Sequence, residues 1–167
     1  MHNNTGIVIS RIFKAPRGKV WQAWTNPEMV KKWWGPKGFW APSVKIDFKV
    51  GGKYIYAMHG PSGSEFDLDM YSSGVYKEIV PLKKLVVTDY FSDKKGNLVD
   101  LVIMGMDADM PAEMEVIVTF ADERGNKTKL TITYPKPKSE IQFEAMKKSG
   151  MEDGWNSSLD KMAKLVE

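Results

Sequence analysis

The chain has 167 residues, 43% hydrophobic and 27% charged, with 14 Gly and 9 Pro, a composition near the globular average and unlike that of a disordered segment. Lys and Arg total 24 against 21 Asp and Glu, and the net charge of +3 is too small and too evenly mixed to announce a nucleic-acid surface. The absence of cysteine and the presence of only two histidines, His2 and His59, exclude disulfides, thiolate nucleophiles, zinc-thiolate sites and a histidine metal cluster, so no cofactor is expected.

Apolar runs such as 99–106 fall far short of the ~20 residues of a membrane span, and Met1 to Gly6 lacks the basic and apolar regions of a signal peptide. One cytoplasmic domain over 1–167 is the expectation, with His2 at a frayed terminus.

Residues 7–13 are rich in β-branched residues and read as a strand that closes at Ala15-Pro16. Pro16 suits a first helical turn, and Val20, Trp21 and Trp24 share a face, which predicts a short helix over 16–24. Asn26-Pro27-Glu28 then supplies a cap, a first-turn proline and an acidic group at the positive end of the dipole. A second helix should carry Met29, Val30, Trp33 and Trp34 until Gly35-Pro36 stops it.

Downstream the period changes to two, with strands predicted at 43–48, 53–59, 69–80, 84–91, 113–120 and 128–134. Short glycine-rich or polar turns at Gly51-Gly52, Pro61-Ser62-Gly63, Lys94-Lys95-Gly96-Asn97 and Glu123-Arg124-Gly125-Asn126 fit an antiparallel meander. Residues 98–112, rich in Met and Asp and without clear period, read as a covering loop.

From Ser139 an apolar stripe of Phe143, Met146, Met151, Trp155, Leu159, Met162 and Val166 predicts an amphipathic helical end. Ser149 and Glu152 match a capping box, so either a short helix over 139–148 ends there and a long one restarts at Gly150 or Met151, or one helix kinks. The layout is α+β, with the long helix against the concave face of the sheet. Gly150 and Gly154 on that helix either admit close packing or leave room beneath it.

Eleven Met, six Trp, seven Phe and six Tyr exceed what a minimal core requires. Tyr54, Tyr56 and Met58 share a strand face that Tyr76 can join, either as core tyrosines or as the wall of a cavity. Trp33 and Trp34 are adjacent helical residues about 100° apart, so at least one indole is expected to be exposed or to border a cavity mouth.

Asp47, Glu65, Asp67, Asp69, Glu78 and Asp89 are acid–base candidates with no pairing visible, and Asp67 and Asp69 read as a solvated strand end. His59 precedes Gly60-Pro61 without a Ser, Cys or carboxylate neighbour and reads as a surface histidine. Asp107-Ala108-Asp109 lacks the remaining oxygen positions of a calcium loop, and Gly51-Gly52 precedes a strand rather than a phosphate-cradling helix.

Several motifs carry a family resemblance. Ser10-Arg11-Ile12-Phe13-Lys14-Ala15-Pro16, Ala23-Trp24-Thr25-Asn26-Pro27-Glu28, Lys32-Trp33-Trp34-Gly35-Pro36, Asp47-Phe48-Lys49-Val50-Gly51-Gly52 and Gly154-Trp155-Asn156-Ser157-Ser158-Leu159-Asp160 resemble the activator-of-heat-shock-ATPase-like branch of the SRPBCC superfamily. Tyr76-Lys77-Glu78-Ile79-Val80-Pro81 and Pro111-Ala112-Glu113-Met114 extend the match over nearly the whole chain.

The resemblance implies a START-like helix-grip fold: a curved, mostly antiparallel sheet of about six to seven strands around a long C-terminal helix, over a hydrophobic cavity. It supplies no catalytic motif. The expected function is binding of a small hydrophobic molecule by Trp33, Trp34, Tyr54, Tyr56, Met58, Tyr76, Met146, Met151 and Trp155. The alternatives are a polyketide-cyclase-like enzyme using Tyr54, Tyr56, Tyr76 and Asp89 in the same cavity, and a chaperone-contacting ATPase regulator. Exposed apolar groups would also permit a homodimer.

Overall fold

A computed structural model describes residues 6–167; His2, and all of the opening hexapeptide except Gly6, lie outside the described residues. Chain order is β1 (Ile7–Phe13), α1 (Arg17–Thr25), α2 (Pro27–Trp33), β2 (Val44–Ile46), β3 (Lys53–His59), β4 (Asp69–Val80), β5 (Lys84–Ser92), β6 (Met114–Glu123), β7 (Lys127–Tyr134), α3 (Glu140–Lys148) and α4 (Met151–Val166). The seven strands form one curved antiparallel sheet in the order β1-β7-β6-β5-β4-β3-β2. β2 to β7 run as the predicted meander, and β1 pairs beside β7, so the chain crosses from one sheet edge to the other through α1 and α2. This is the α+β helix-grip arrangement.

Local chemistry sets the element ends. The Asn26 side chain accepts hydrogen bonds from the Glu28 and Met29 amides, with Pro27 in the first turn of α2, as the sequence predicts. Pro16 lies just outside α1 rather than in its first turn, because its own backbone is extended. β2 is shorter than 43–48: the Lys49 and Gly52 amides bond back to the Asp47 and Lys49 carbonyls, closing a turn before the strand can continue. β6 instead runs past 120 to Glu123, where pairing with Lys127 meets the Arg124-Gly125-Asn126 turn.

The core lies between the inner face of the sheet and the helices. Ile9, Phe13, Leu85, Val118, Leu130 and Ile132 of the strands meet Val20, Val30, Trp33, Leu159 and Met162 of the helices, all nearly inaccessible. α4 packs on α1, α2 and β1, so only part of its stripe rests on the sheet.

Two interruptions shape the remainder. Between β4 and β5 the paired register stops at Ser73 and Tyr90 and resumes at Tyr76 and Val87, followed by an irregularity before Glu78. Side chains replace the missing ladder bonds: the Thr88 hydroxyl accepts from the Val75 amide at 2.9 Å, and the Tyr54 hydroxyl donates to the Thr88 carbonyl at 2.7 Å. The approach is so close that a Cβ on Gly74 would lie 1.8 Å from the Thr88 carbonyl oxygen. The second interruption separates α3 from α4, so the helical end is broken rather than kinked. Gly150, at φ 81°, takes the cap position that the capping-box reading assigns to Ser149. Ser149 serves by accepting the Met151 amide through its hydroxyl, at 3.3 Å.

Candidate functional site

A cavity of about 250 Å³ lies where these interruptions face each other. Met58, Ser72, Asp89 and Phe91 of β3 to β5 line one side, with Trp34 at the end of α2. Gly150, Met151, Gly154, Trp155 and Ser158 of the broken helical end line another. Leu101, Met106, Met110 and Pro111 of the covering loop and Met114 of β6 close the third. Ala112, Ser149 and Gly150 are exposed and form the rim. Hollows of about 490 and 670 Å³ elsewhere are bordered mainly by charged residues and carry no aromatic or methionine side chain.

The sequence leaves two readings of Gly150 and Gly154 open, and the structure decides between them. A Cβ on either would meet nothing within 4 Å, so these glycines border space rather than a packed neighbour. The loop reaches the cavity because turn hydrogen bonds from the Met106 amide to the Leu101 carbonyl and from the Met110 amide to the Asp107 carbonyl fold it. Leu101 and Met110 are thereby buried, while Val102 and Ile103 face solvent.

One charged side chain faces this space, that of Asp89. It stands on the inner side of β5 between Val87 and Phe91, opposite Met114 of β6. Its one hydrogen-bond partner among the described residues is the Tyr134 hydroxyl, which donates to Oδ2 over a long 3.5 Å. Tyr134 in turn accepts from the Trp155 indole N–H at 2.8 Å, which orients the hydroxyl hydrogen towards the carboxylate. Burial pushes the Asp89 carboxyl up to about 6, and the Tyr134 bond offsets this only in part. Burial likewise raises the phenols of Tyr54, Tyr56 and Tyr134 far above the usual range, so all three are neutral beside it.

The family model for activator of Hsp90 ATPase homolog 1-like protein matches residues 14–167. The chain belongs to that family. Its fold is shared with a Mycobacterium smegmatis protein, 22% identical with a TM-score of 0.78 over 100% of this chain and 94% of that one. A Nitrosomonas europaea protein is 20% identical, with a TM-score of 0.76 over 99% and 96% of the two chains. A solution structure from Arthrobacter aurescens is 27% identical, with a TM-score of 0.76 over 95% of this chain and 84% of that one. No curated protein matches the chain.

In this chain the residues predicted to bind ligand divide into three groups. Trp34, Met58, Met151 and Trp155 line the cavity. Tyr54, Tyr56 and Tyr76, with Trp34 and Trp155, surround a neighbouring gap of about 30 Å³, room for little more than a water molecule. Tyr54 and Tyr56 pack at 4.7 Å between ring centres, and Tyr56 is hydrogen-bonded to Tyr76. Trp33 and Met146 belong to the core: each is no more than 2% exposed and neither borders the cavity.

Trp33 donates its indole N–H to the Ala23 carbonyl at 2.8 Å. Trp34 packs against Tyr56, Trp155 and Trp33. Of these two indoles Trp34, half-buried, borders the cavity rather than standing exposed, because α2 ends at Trp33. The extended backbone at Trp34 turns its ring inward, where the helical 100° rule no longer applies.

His59 requires a correction. Its Nδ1 lies 2.7 Å from Asp69 and its Nε2 2.8 Å from Asp67, so it has two carboxylate neighbours, brought together by the β3–β4 hairpin. Asp67 and Asp69 are thus partners of an imidazole rather than merely solvated. Hydrogen bonds donated by the imidazolium to the Asp69 and Asp67 carboxylates raise the His59 pKa. Asp47 and Glu78 form surface pairs with Lys49 and Lys84, and Glu65 is exposed, which leaves Asp89 as the inward carboxylate of the predicted six.

Asp107 caps its own turn by accepting the Asp109 amide, and among the described residues no three acidic, histidine or cysteine side chains gather as a metal site. Sequence reasoning missed Tyr134, Phe91 and the loop methionines. The available signal was periodicity: Leu130, Ile132 and Tyr134 share an inward face, as do Leu85, Val87, Asp89 and Phe91, so an aspartate stands in an apolar row.

Proposed function

We propose that the chain acts as a single START-like domain that binds a small hydrophobic molecule in the cavity between the sheet, the covering loop and the start of α4. The observation that carries this reading is the space itself, about 250 Å³, walled by methionine and aromatic groups and left open by Gly150 and Gly154. An apolar cavity of ~150 Å³ can hold benzene, so the guest has roughly one or two rings or an equivalent chain. Mass spectrometry of the protein purified without denaturation from its own cells should detect a retained small molecule. An empty protein that also shows no thermal shift across lipids, aromatic acids, amines and alcohols counts against binding.

The Trp155–Tyr134–Asp89 chain favours a second reading, a cyclase-like proton transfer in the same cavity, since a carboxyl raised to about 6 can hold or give up a proton near neutrality. Tyr134→Phe would abolish such turnover while barely changing apolar binding. The family's description also raises contact with a chaperone ATPase, which would use outer surface; recovery of the chaperone by a variant with the cavity filled at Gly154 would favour that reading.

A further inference from the structure

The chemistry of the cavity goes beyond apolar and narrows the guest to a class. Its wall carries one formal charge, that of Asp89, and no Lys, Arg or His lines it among the described residues. A carboxylate offers about four acceptor positions, and here a single long bond from Tyr134 occupies one of them. Under-satisfied carboxylates inside apolar surroundings are costly unless a donor or cation arrives. The groups lining the space with it include Trp34 and Trp155, aromatic rings of the kind that attract cations, and the polarizable Met58 and Met114.

We propose that the cavity selects a lipophilic amine, bound as its ammonium form with the nitrogen on the Asp89 carboxylate and the hydrocarbon among the tryptophan and methionine side chains. This rests on the ligand-binding reading above and specifies its substrate class. The ammonium supplies the donors that Asp89 lacks, and the Trp155–Tyr134 chain keeps the carboxylate oriented towards the lumen.

An anionic guest is the natural competitor, since the start of α4 borders the same space. That helix end carries its own negative charge, with Glu152 and Asp153 in the first turn, and the Ser149 hydroxyl accepts the Met151 amide at 3.3 Å. An anion would meet Asp89 with no cation to offset the repulsion. The titratable groups facing Asp89 are the phenols of Tyr54 and Tyr56 on β3 and Tyr134 on β7, all held neutral by burial. Between pH 5 and 8 the binding therefore follows the ionisation of Asp89 itself.

The test is calorimetric or NMR titration with phenylalkyl and indolylalkyl amines, each beside the alcohol and the carboxylate of the same carbon skeleton. At pH 7.5 the amine should bind about tenfold or more tighter than the alcohol, and the carboxylate weakest. Since apparent affinity scales with the competent fraction, amine affinity should fall about tenfold between pH 7.5 and 5 as Asp89, with a pKa of about 6, takes up a proton. Alcohol affinity should not fall with it. Asp89→Asn should remove the preference for amine and keep alcohol binding; the pH series on the unmodified protein tests the same point without a variant.

Equal binding of amine and alcohol, or tighter binding of the carboxylate, overturns the amine assignment while leaving the cavity a binding site. Affinity of the amine that is flat or rises towards pH 5 does the same. No binding by any member, with no retained molecule in the native protein, overturns the binding function as well.

Discussion

Gly150 and Gly154 stand on the same cavity wall, and a methyl group on either would enter open space. Their backbones differ: Gly150, on the exposed rim, holds φ at 81°, whereas Gly154 lies within α4. Replacing Gly154 with Ala should therefore stabilise the protein. Glycine in a helix interior is ~0.8–1.0 kcal/mol less favourable than alanine, and no steric term opposes the gain. For a chain of this size that corresponds to roughly 2–4 °C per kcal/mol in Tm. Gly150→Ala should instead destabilise by roughly 1–2 kcal/mol, since an L-residue must enter the left-handed region.

Urea unfolding with an unchanged slope reads both values directly. Opposite signs at two positions facing the same space isolate the backbone contribution. Destabilisation by Gly154→Ala would refute the open wall, because only a packed neighbour can reverse the helix preference. A neutral Gly150→Ala would show that the break between α3 and α4 does not depend on a left-handed residue.

Gly74→Ala should lower stability by several kcal/mol or prevent folding, because the new Cβ would lie 1.8 Å from the Thr88 carbonyl oxygen at the sheet interruption; chemical denaturation followed by circular dichroism reads the loss, and a wild-type midpoint would refute the close approach. His59 should titrate above its ordinary value by NMR, and Asp67→Asn or Asp69→Asn should each bring it down. With the folded pKa raised, the contribution of the His59 pairs is complete below pH ~6.5 and is lost as pH rises through the folded value, so protection of the 60–68 loop from hydrogen exchange should weaken in that direction. Asp89 has the same sign of shift: a rise from 3.8 to about 6 means the ionised group opposes folding by up to roughly 3 kcal/mol above pH 6. Asp89→Asn should therefore raise stability at pH 7.5, with the gain vanishing below pH ~4, and a variant less stable at pH 7.5 would contradict the half-buried, under-paired carboxylate.

The strands were legible because their inward rows alternate: β1, β3 and β4 match the expected spans to the residue. Legibility fails where side chains replace backbone partners. Nothing in the order of residues 74 and 88 reveals that Thr88 and Tyr54 substitute for ladder bonds there. The His59 cluster was hidden for a related reason, since Asp67 and Asp69 lie eight and ten residues away and meet the imidazole only through the hairpin register. At Trp34 a helical angle was extended one residue past the end of the helix. The tyrosines were read correctly as one face, but their hydroxyls find partners in Thr88 and in each other, which fills the region where the cavity was expected.

The displacement of the cavity towards Asp89 follows from where backbone pairing ends. β5 extends beyond the reach of β6, whose last partner on it is Asp89, so Tyr90 to Ser92 pair with β4 and otherwise meet only the bridge from Ser92 to Leu98 and the Val99 amide, which donates to the Phe91 carbonyl at 3.1 Å. A sheet edge so sparsely paired needs a cover, and residues 98–112 supply it with methionines rather than with a regular element. Flexible side chains and a glycine-opened helix start cover the edge without filling the space behind it. Two features there each oppose stability: the under-paired Asp89 and the interior glycine at 154. Their convergence on one location is the pattern expected of a site kept for an occupant, since a wall selected for stability alone would carry a leucine and an alanine in their places.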